Sequence, residues 1–433
     1  MMEEYKKLLT QLVGLKSVSA LPECKEDTRK TAQWLADFLS SCGFSAELFE
    51  GYGNPVMVAC YVVDPNYKTC LIYGHYDVQP ASIEDGWDQD PFVLTEKNNR
   101  LYGRGAMDDK GQLLAHIVSI TNLIKAGKLG YNITFISEGN EEVGSGGIEK
   151  FIEDHQELLK SDFIMISDGE MVGDNPVIEL GFRGMFSATL TLITSDNELH
   201  SGNYGGAAPS APYELSKFLA GIYDEENKIT IKGFYDSVDP ITNPSTIPSN
   251  MEMYKKDTGT KILKTENGYD LYTQVGLRPS MSITGMHSGY VGHGYRNSIP
   301  GKAVAKLNFR LVKSQNPTEV SELFKKYVAE VMPEYVTYEL EVSDLGKPVK
   351  IDLDNEYVIK AKEVLTTIYT KAPFIKYVGG SEPVAIHFAD ILQKPQVLVP
   401  FANSDGMMHG INENIDLEYV ANALKFSMAY FEK

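Results

Sequence analysis

Short apolar runs that end on a histidine or a carboxylate recur along this chain. Cys70-Leu-Ile-Tyr-Gly74 runs into His75 and, two residues later, Asp77. Ile133-Thr-Phe-Ile-Ser137 runs into Glu138, Glu141 and Glu142; Phe163-Ile-Met-Ile-Ser167 into Asp168 and Glu170; Gln396-Val-Leu-Val-Pro400 into a loop with Asp405 and His409. Largely apolar runs of this length, closed by turn residues, suit strands buried in a parallel sheet. Ligands of such sheets collect beyond the carboxyl ends of the strands, where these polar groups fall.

Helical periodicity alternates with the runs. Residues 3–13 and 27–42 read as amphipathic helices, the second with Ala32, Trp34, Leu35, Phe38 and Leu39 on one stripe and Gly43 as its stop. A strand over 56–63 and a short one near Leu101 follow. Arg104-Gly-Ala-Met-Asp108-Asp109-Lys-Gly111 then opens a helix over 111–126 with Leu113, Leu114, Ile117, Ile120 and Ile124 inward. Another helix falls near 147–158. Strand and helix in alternation predict an α/β sandwich.

Near residue 180 the pattern changes period. Residues 185–193 place Phe186, Ala188, Leu190 and Leu192 on one face and Ser187, Thr189 and Thr191 on the other; 303–312 places Ala303, Ala305, Leu307, Phe309 and Leu311 inward. A period of two with one wet face predicts antiparallel strands. A helix over 317–331 and a strand over 335–342 complete a smaller α+β insert. Within it, residues 233–270 are rich in Asp, Pro, Asn, Ser and Lys and read as a long polar connection. Beyond about 345 the first texture returns, with helices 354–369, 383–392 and 416–431 and strands 374–378 and 396–399. The expected fold class is α/β: a mixed-sheet α/β/α domain over 1–180 and 345–433, interrupted by an α+β insert of ferredoxin-like type over 181–344.

Composition narrows the chemistry. The 433 residues exceed one ordinary core, consistent with two domains. Forty Lys and Arg against 59 Asp and Glu give a formal charge of −19, which argues against nucleic acid or an anionic membrane as partner. No apolar run approaches the roughly 20 residues that span a bilayer, and the N-terminal stretch lacks the apolar core of a signal peptide. Cys24, Cys42, Cys60 and Cys70 have no Cys-x-x-Cys spacing. A cytoplasmic protein with reduced cysteines is the expectation.

The candidate chemistry is metal binding. His75, Asp108, Glu142, Asp168 and His409 are two imidazoles and three carboxylates. That donor set suits a pair of divalent cations, zinc foremost with manganese or cobalt as alternatives, better than calcium. Five ligands are few for two ions, so one carboxylate is expected to bridge, and the sequence leaves open which. Adjacent Glu141 and Glu142 can point apart, Glu142 to metal and Glu141 to a water as general base. Asp77 is expected to accept the second ring N–H of His75 and orient it. His116, His155 and His387 read as structural. No Gly-x-Ser-x-Gly elbow is present, which disfavours a serine hydrolase.

Five motifs taken together, Gly74-His75-Tyr-Asp77-Val-Gln-Pro80, Arg104-Gly-Ala-Met-Asp108-Asp109-Lys-Gly111, Glu138-Gly-Asn-Glu141-Glu142-Val-Gly-Ser145, Ser167-Asp168-Gly-Glu170 and Met408-His409-Gly-Ile-Asn-Glu413, resemble the dinuclear-metal aminoacylase/carboxypeptidase metallopeptidase family, in order over nearly the whole chain. The pattern is most similar to its cytosolic nonspecific and carnosine dipeptidase branch. The resemblance implies hydrolysis of dipeptides, with N-acyl amino acids or succinyl- or folate-type amides as the alternative substrates. It implies that Asp108 bridges the two ions, that Asp108-Asp109 is a cis peptide, and that the insert is a lid through which two copies dimerise. It matches His200 to a lid histidine that stabilises the oxyanion in the partner's site, Arg310 to the arginine that holds the substrate carboxylate, and Ser381 to a loop contacting substrate backbone. Asn297 stands where the family's dipeptidases carry Thr, a departure that bears on substrate preference.

Overall fold

The computed structural model describes residues 1–242, 244–248, 250–380 and 382–433. The chain forms two compact units, one of Met1–Leu180, Ile351–Lys376 and Glu382–Lys433, the other of Gly181–Lys350 and Tyr377–Ser381. The return of 377–381 to the second unit lies inside the segment expected to belong wholly to the first.

In the first unit, the expected strands pair as a mixed sheet, extended at one edge by the unforeseen strand Ser45–Phe49. Ser45–Phe49, Val56–Tyr61, Asn132–Glu138, Thr69–His75, Phe163–Ile166 and Gln396–Leu398 lie in that order. The last four are mutually parallel and the first two antiparallel. Gly74 pairs with Ser137 and His75 with Glu138, so two of the ligand-bearing runs end at one level. Asn132–Glu138 and Phe163–Ile166 are buried along their whole length, as parallel strands covered on both faces are.

The Lys110–Ala126 helix packs against Leu417–Phe431 and Met2–Val13. It is buried nearly all round, beyond the one stripe read from the sequence, because neighbours cover it from several sides; Ile124 alone of the expected stripe is half-buried. Gly127, in the left-handed region at φ 67°, ends it. In the Lys25–Ser41 helix, Ala32, Leu35 and Leu39 are buried, whereas Trp34 and Phe38 stack on each other part-way into solvent.

The second unit runs strand, helix, two strands, helix, strand: Gly184–Ile193, Ala211–Gly221, Ser280–Ser288, Lys302–Leu311, Pro317–Val331 and Thr337–Gly346. The sheet order, Ser280–Ser288, Lys302–Leu311, Gly184–Ile193, Thr337–Gly346, is antiparallel throughout and is the ferredoxin-like arrangement. All nine side chains expected inward on its two central strands are buried. Phe186 and Phe309 stack at 4.3 Å between centroids, and Phe324 from the second helix closes on Phe309 at 4.9 Å.

One expectation needs correction here, and two elements were not foreseen. Residues 233–270 are not wholly irregular: Met251–Thr258 is helical, supported by a Glu252–Lys255 ion pair one turn apart at 2.8 Å. The Ser280–Ser288 strand and the Ala211–Gly221 helix had no counterpart in the sequence reading. The strand lies at the sheet's edge and carries a bulge between Ile283 and Gly285, so its alternation is broken and most of its side chains are wet.

Candidate metal centre

Each strand end delivers its polar group to one place in the first unit. His75, the last residue of its strand, is fully buried; its Nε2 lies 2.8 Å from Asp108 Oδ1, 3.5 Å from Asp168 Oδ2 and 4.0 Å from Glu141 Oε2. His409 Nε2 lies 2.9 Å from Asp108 Oδ2 and 3.2 Å from Glu142 Oε2. Asp108 thus turns one oxygen to each histidine. Two groups result, His75, Asp108 and Asp168, and Asp108, Glu142 and His409, each with ligand atoms within 4.8 Å of one another. All five residues singled out as ligands are brought together.

The loops are fixed by backbone hydrogen bonds. Glu413, fully buried, accepts the amide N–H of Gly105, Met107 and Asp108 and the Arg104 guanidinium at 2.7 Å. It thereby sets the turn that carries Asp108, whose peptide bond to Asp109 is cis. Asp77 departs from its expected part. The nearest acceptor to His75 Nδ1 is the Asp77 backbone carbonyl at 3.0 Å, with the carboxylate at 3.5 Å. The carboxylate instead accepts the amide N–H of Glu141 and Glu142 at 3.2 and 3.1 Å, because it lies under the short turn they open. Gln79 donates to both oxygens of Glu142.

Two polar groups that bear on this site were assigned no part in it from the sequence: His116, read as structural, and Glu138. His116 is clamped between Ser167 Oγ at 2.8 Å and Ser427 Oγ at 2.7 Å, next in sequence to Asp168 on one side and on the closing helix on the other. Burial lowers its pKa to about 4, so it stands neutral. Glu138, buried, accepts the hydroxyls of Tyr73 and Ser145 at one oxygen and has no partner at the other; burial and the Asp77 charge raise its pKa to about 8. A buried carboxylate beside a run of small polar residues was the available signal.

The electrostatics of the donor set test whether it fits cations. Burial opposes charge on His75, yet the Asp108 and Asp77 carboxylates beside it, with the Asp168 charge, hold it well above the usual imidazole range. Hydrogen bonds to Asp108 and Glu142 raise His409 to about 10. Asp108 is pulled below the ordinary carboxylate range by His409 and His75 against the effect of burial. Asp168 is driven well above it by burial and the Asp108 charge, and Glu141 upward by burial with Asp108, Glu142 and Asp77. Carboxylates outnumber imidazoles here, and protons are retained as counter-charge. Divalent cations match both the donor types and the sign.

The remaining candidates lie in the second unit. His200 is exposed, accepts the Gly202 amide at 3.1 Å and pairs in register with Ser298; the carbonyl of neighbouring Asn297 accepts the Ser201 amide at 3.0 Å. Arg310 lies opposite Met185 and Ser280, is half-buried, and loses some basicity to that burial. Ser381 lies outside the described residues. His155 and His387 make local contacts, to Tyr52 and to Glu149.

The model of Peptidase family M20/M25/M40 matches residues 71–433. The chain belongs to this peptidase family. Among curated relatives of this M20 member, Cys-Gly metallodipeptidase dug1 of Schizosaccharomyces pombe is 30% identical over 99% of this chain and 95% of the relative. Beta-Ala-His dipeptidase of Rattus norvegicus is 29% identical over 99% and 92%. An M20 family metallo-carboxypeptidase, Sso-CP2 from Sulfolobus solfataricus, superposes with a TM-score of 0.85 at 29% identity, over 99% of this chain and 98% of that one. Among the described residues no helix is long and apolar enough to cross a membrane.

Proposed function

We propose that this M20 peptidase hydrolyses dipeptides and holds two divalent cations, one on His75, Asp108 and Asp168 and one on Asp108, Glu142 and His409. The observation that carries the reading is Asp108, with one carboxylate oxygen toward each histidine. Zinc is the first choice for such mixed nitrogen and oxygen donors, with manganese or cobalt as alternatives. When bound, the ions supply Lewis acidity toward the peptide carbonyl and toward water. The dipeptidase names of the two curated relatives point to the same substrate class.

The chain's own residues do the rest. Glu141 takes the proton of the attacking water and hands it to the leaving amine, a role its raised pKa suits. Asp77 fixes the Glu141-Glu142 turn by accepting both amides. Arg310 pairs with the substrate carboxylate. Asn297 and Ser381 contact the substrate, and His200 of the partner subunit steadies the oxyanion in a homodimer formed through the second unit. The enzyme works in the cytoplasm without a nucleic-acid or membrane partner.

The test is Glu141→Ala, assayed on a dipeptide panel with N-acetyl and N-succinyl amino acids alongside. We expect a loss of roughly a thousandfold in kcat on dipeptides with metal content retained. Full activity in that variant, or turnover confined to the N-acyl compounds, overturns the reading.

A further inference from the structure

One acidic side chain beside the paired donor groups has no part in the scheme above. Glu382 immediately precedes the short Pro383–His387 helix. Phe388, the next residue after that helix, packs edge-on against Tyr73 at 5.8 Å between centroids, and the Tyr73 hydroxyl donates to Glu138 at 3.0 Å. The segment that Glu382 opens thereby packs on the strand that ends on His75. The Oε1 of Glu382 is shut off from solvent and has no hydrogen-bond partner among the described residues. The charges acting on it are Asp168, Glu141, His75 and Glu138, three carboxylates against one imidazole.

A carboxyl group with one oxygen sealed off among other carboxylates is costly to ionise unless a cation meets it. A metal ion asks for several donors. The described residues offer two such groups, and neither includes Glu382. A primary ammonium asks for less, since one carboxylate oxygen satisfies one of its three N–H groups with full charge complementarity and ordinary carbonyls or water take the others. The substrate class proposed above carries that group two bonds from the carbonyl carbon that is attacked.

We propose that Glu382 is the subsite for the free α-ammonium of the substrate, and that it makes the enzyme select an unblocked amino terminus over an N-acylated one. This rests on the dipeptidase reading. An N-acetyl group is neutral and bulkier, and leaves the carboxylate without its counter-charge. A site built around a buried charged group discriminates strongly against a ligand that does not pair it.

The test compares Ala-Gly with N-acetyl-Ala-Gly on the metal-loaded full chain, in wild type, Glu382→Gln and Glu382→Asp. Wild type is expected to favour the free amine by roughly 100-fold or more in kcat/KM, and Glu382→Gln to collapse that ratio by about the same factor, chiefly through KM. Metal content should stay at the wild-type level, and Glu382→Asp, which keeps the charge, should restore part of the preference. Equal losses on both peptides, a ratio within about threefold of wild type, or loss of bound metal in Glu382→Gln overturns the assignment. Wild type that hydrolyses neither peptide sinks the dipeptidase reading instead. Calorimetric titration of the two peptides then decides the subsite alone: a free-amine preference that vanishes in Glu382→Gln upholds it, and equal binding by wild type refutes it.

Discussion

In the second unit, the central strands turn Phe186, Ala188, Leu190 and Leu192, and Ala303, Ala305, Leu307, Phe309 and Leu311, to one face, and that face is dry. In the first unit, the sheet is just as well buried, but its strand ends place His75, Asp77, Asp108 and Glu138 out of solvent as well. The first kind of burial is stabilising by area and indifferent to pH. The second kind is a standing cost, offset only where hydrogen bonds or counter-ions reach the charged atoms. One unit is organised for packing; the other accepts unfavourable burial to concentrate donors.

Four measurements break or sharpen that contrast. The largest effect is expected from Asp108→Asn, which withdraws the carboxylate common to both donor groups. Bound metal measured by mass spectrometry should fall for both ions and kcat by roughly a thousandfold or more, whereas Asp168→Asn should spare the ion on Glu142 and His409. Equal metal loss in the two variants would show that the groups do not share Asp108 as described.

Next comes Phe309→Ala in the dry sheet. Denaturant unfolding should show a loss of about 3–5 kcal/mol, the same at pH 5 and pH 8. A marked pH dependence would mean that the second unit also relies on buried charge.

His116 provides the opposite case. It is neutral when folded, with a pKa lowered to about 4 by burial, and in the unfolded chain it takes up a proton near its ordinary value of about 6.5. The unfolded state therefore binds more protons between those values. The contribution is complete above about pH 6.5 and is lost as pH falls toward 4, a difference of about 3 kcal/mol. Stability curves of wild type and His116→Asn should converge over that window, and parallel curves would show that His116 is charged in the folded protein.

The smallest effect is Asn316→Ala, which removes the side chain that accepts the Thr318 and Glu319 amides at 2.9 and 3.4 Å ahead of Pro317. Loss of that cap should cost about 1 kcal/mol and leave metal content alone.

What the sequence showed follows the same division. The alternation over 185–193 and 303–312 named all nine inward residues, since a half-wet sheet writes its burial directly into a period of two. Four of the five ligand residues were legible because each follows an apolar run that stops at a strand's carboxyl end, and Asp108 because its motif opens a helix. The Ser280–Ser288 strand was not legible, because an edge strand with a bulge buries too little to impose a pattern. Glu382 escaped notice for another reason: a single polar residue next to a helix start has no spacing to betray it. The carbonyl of Asp77 was not legible as a competitor of its own carboxylate, yet it reaches the imidazole at closer range.

Glu413 carries a consequence for biosynthesis. It alone gathers the amides of Gly105, Met107 and Asp108, from some three hundred residues downstream. A nascent chain that has not yet reached residue 413 lacks the acceptor that shapes the Asp108 turn, however completely its earlier strands have paired. Completion of the Asp108 turn therefore waits until residue 413 has been made.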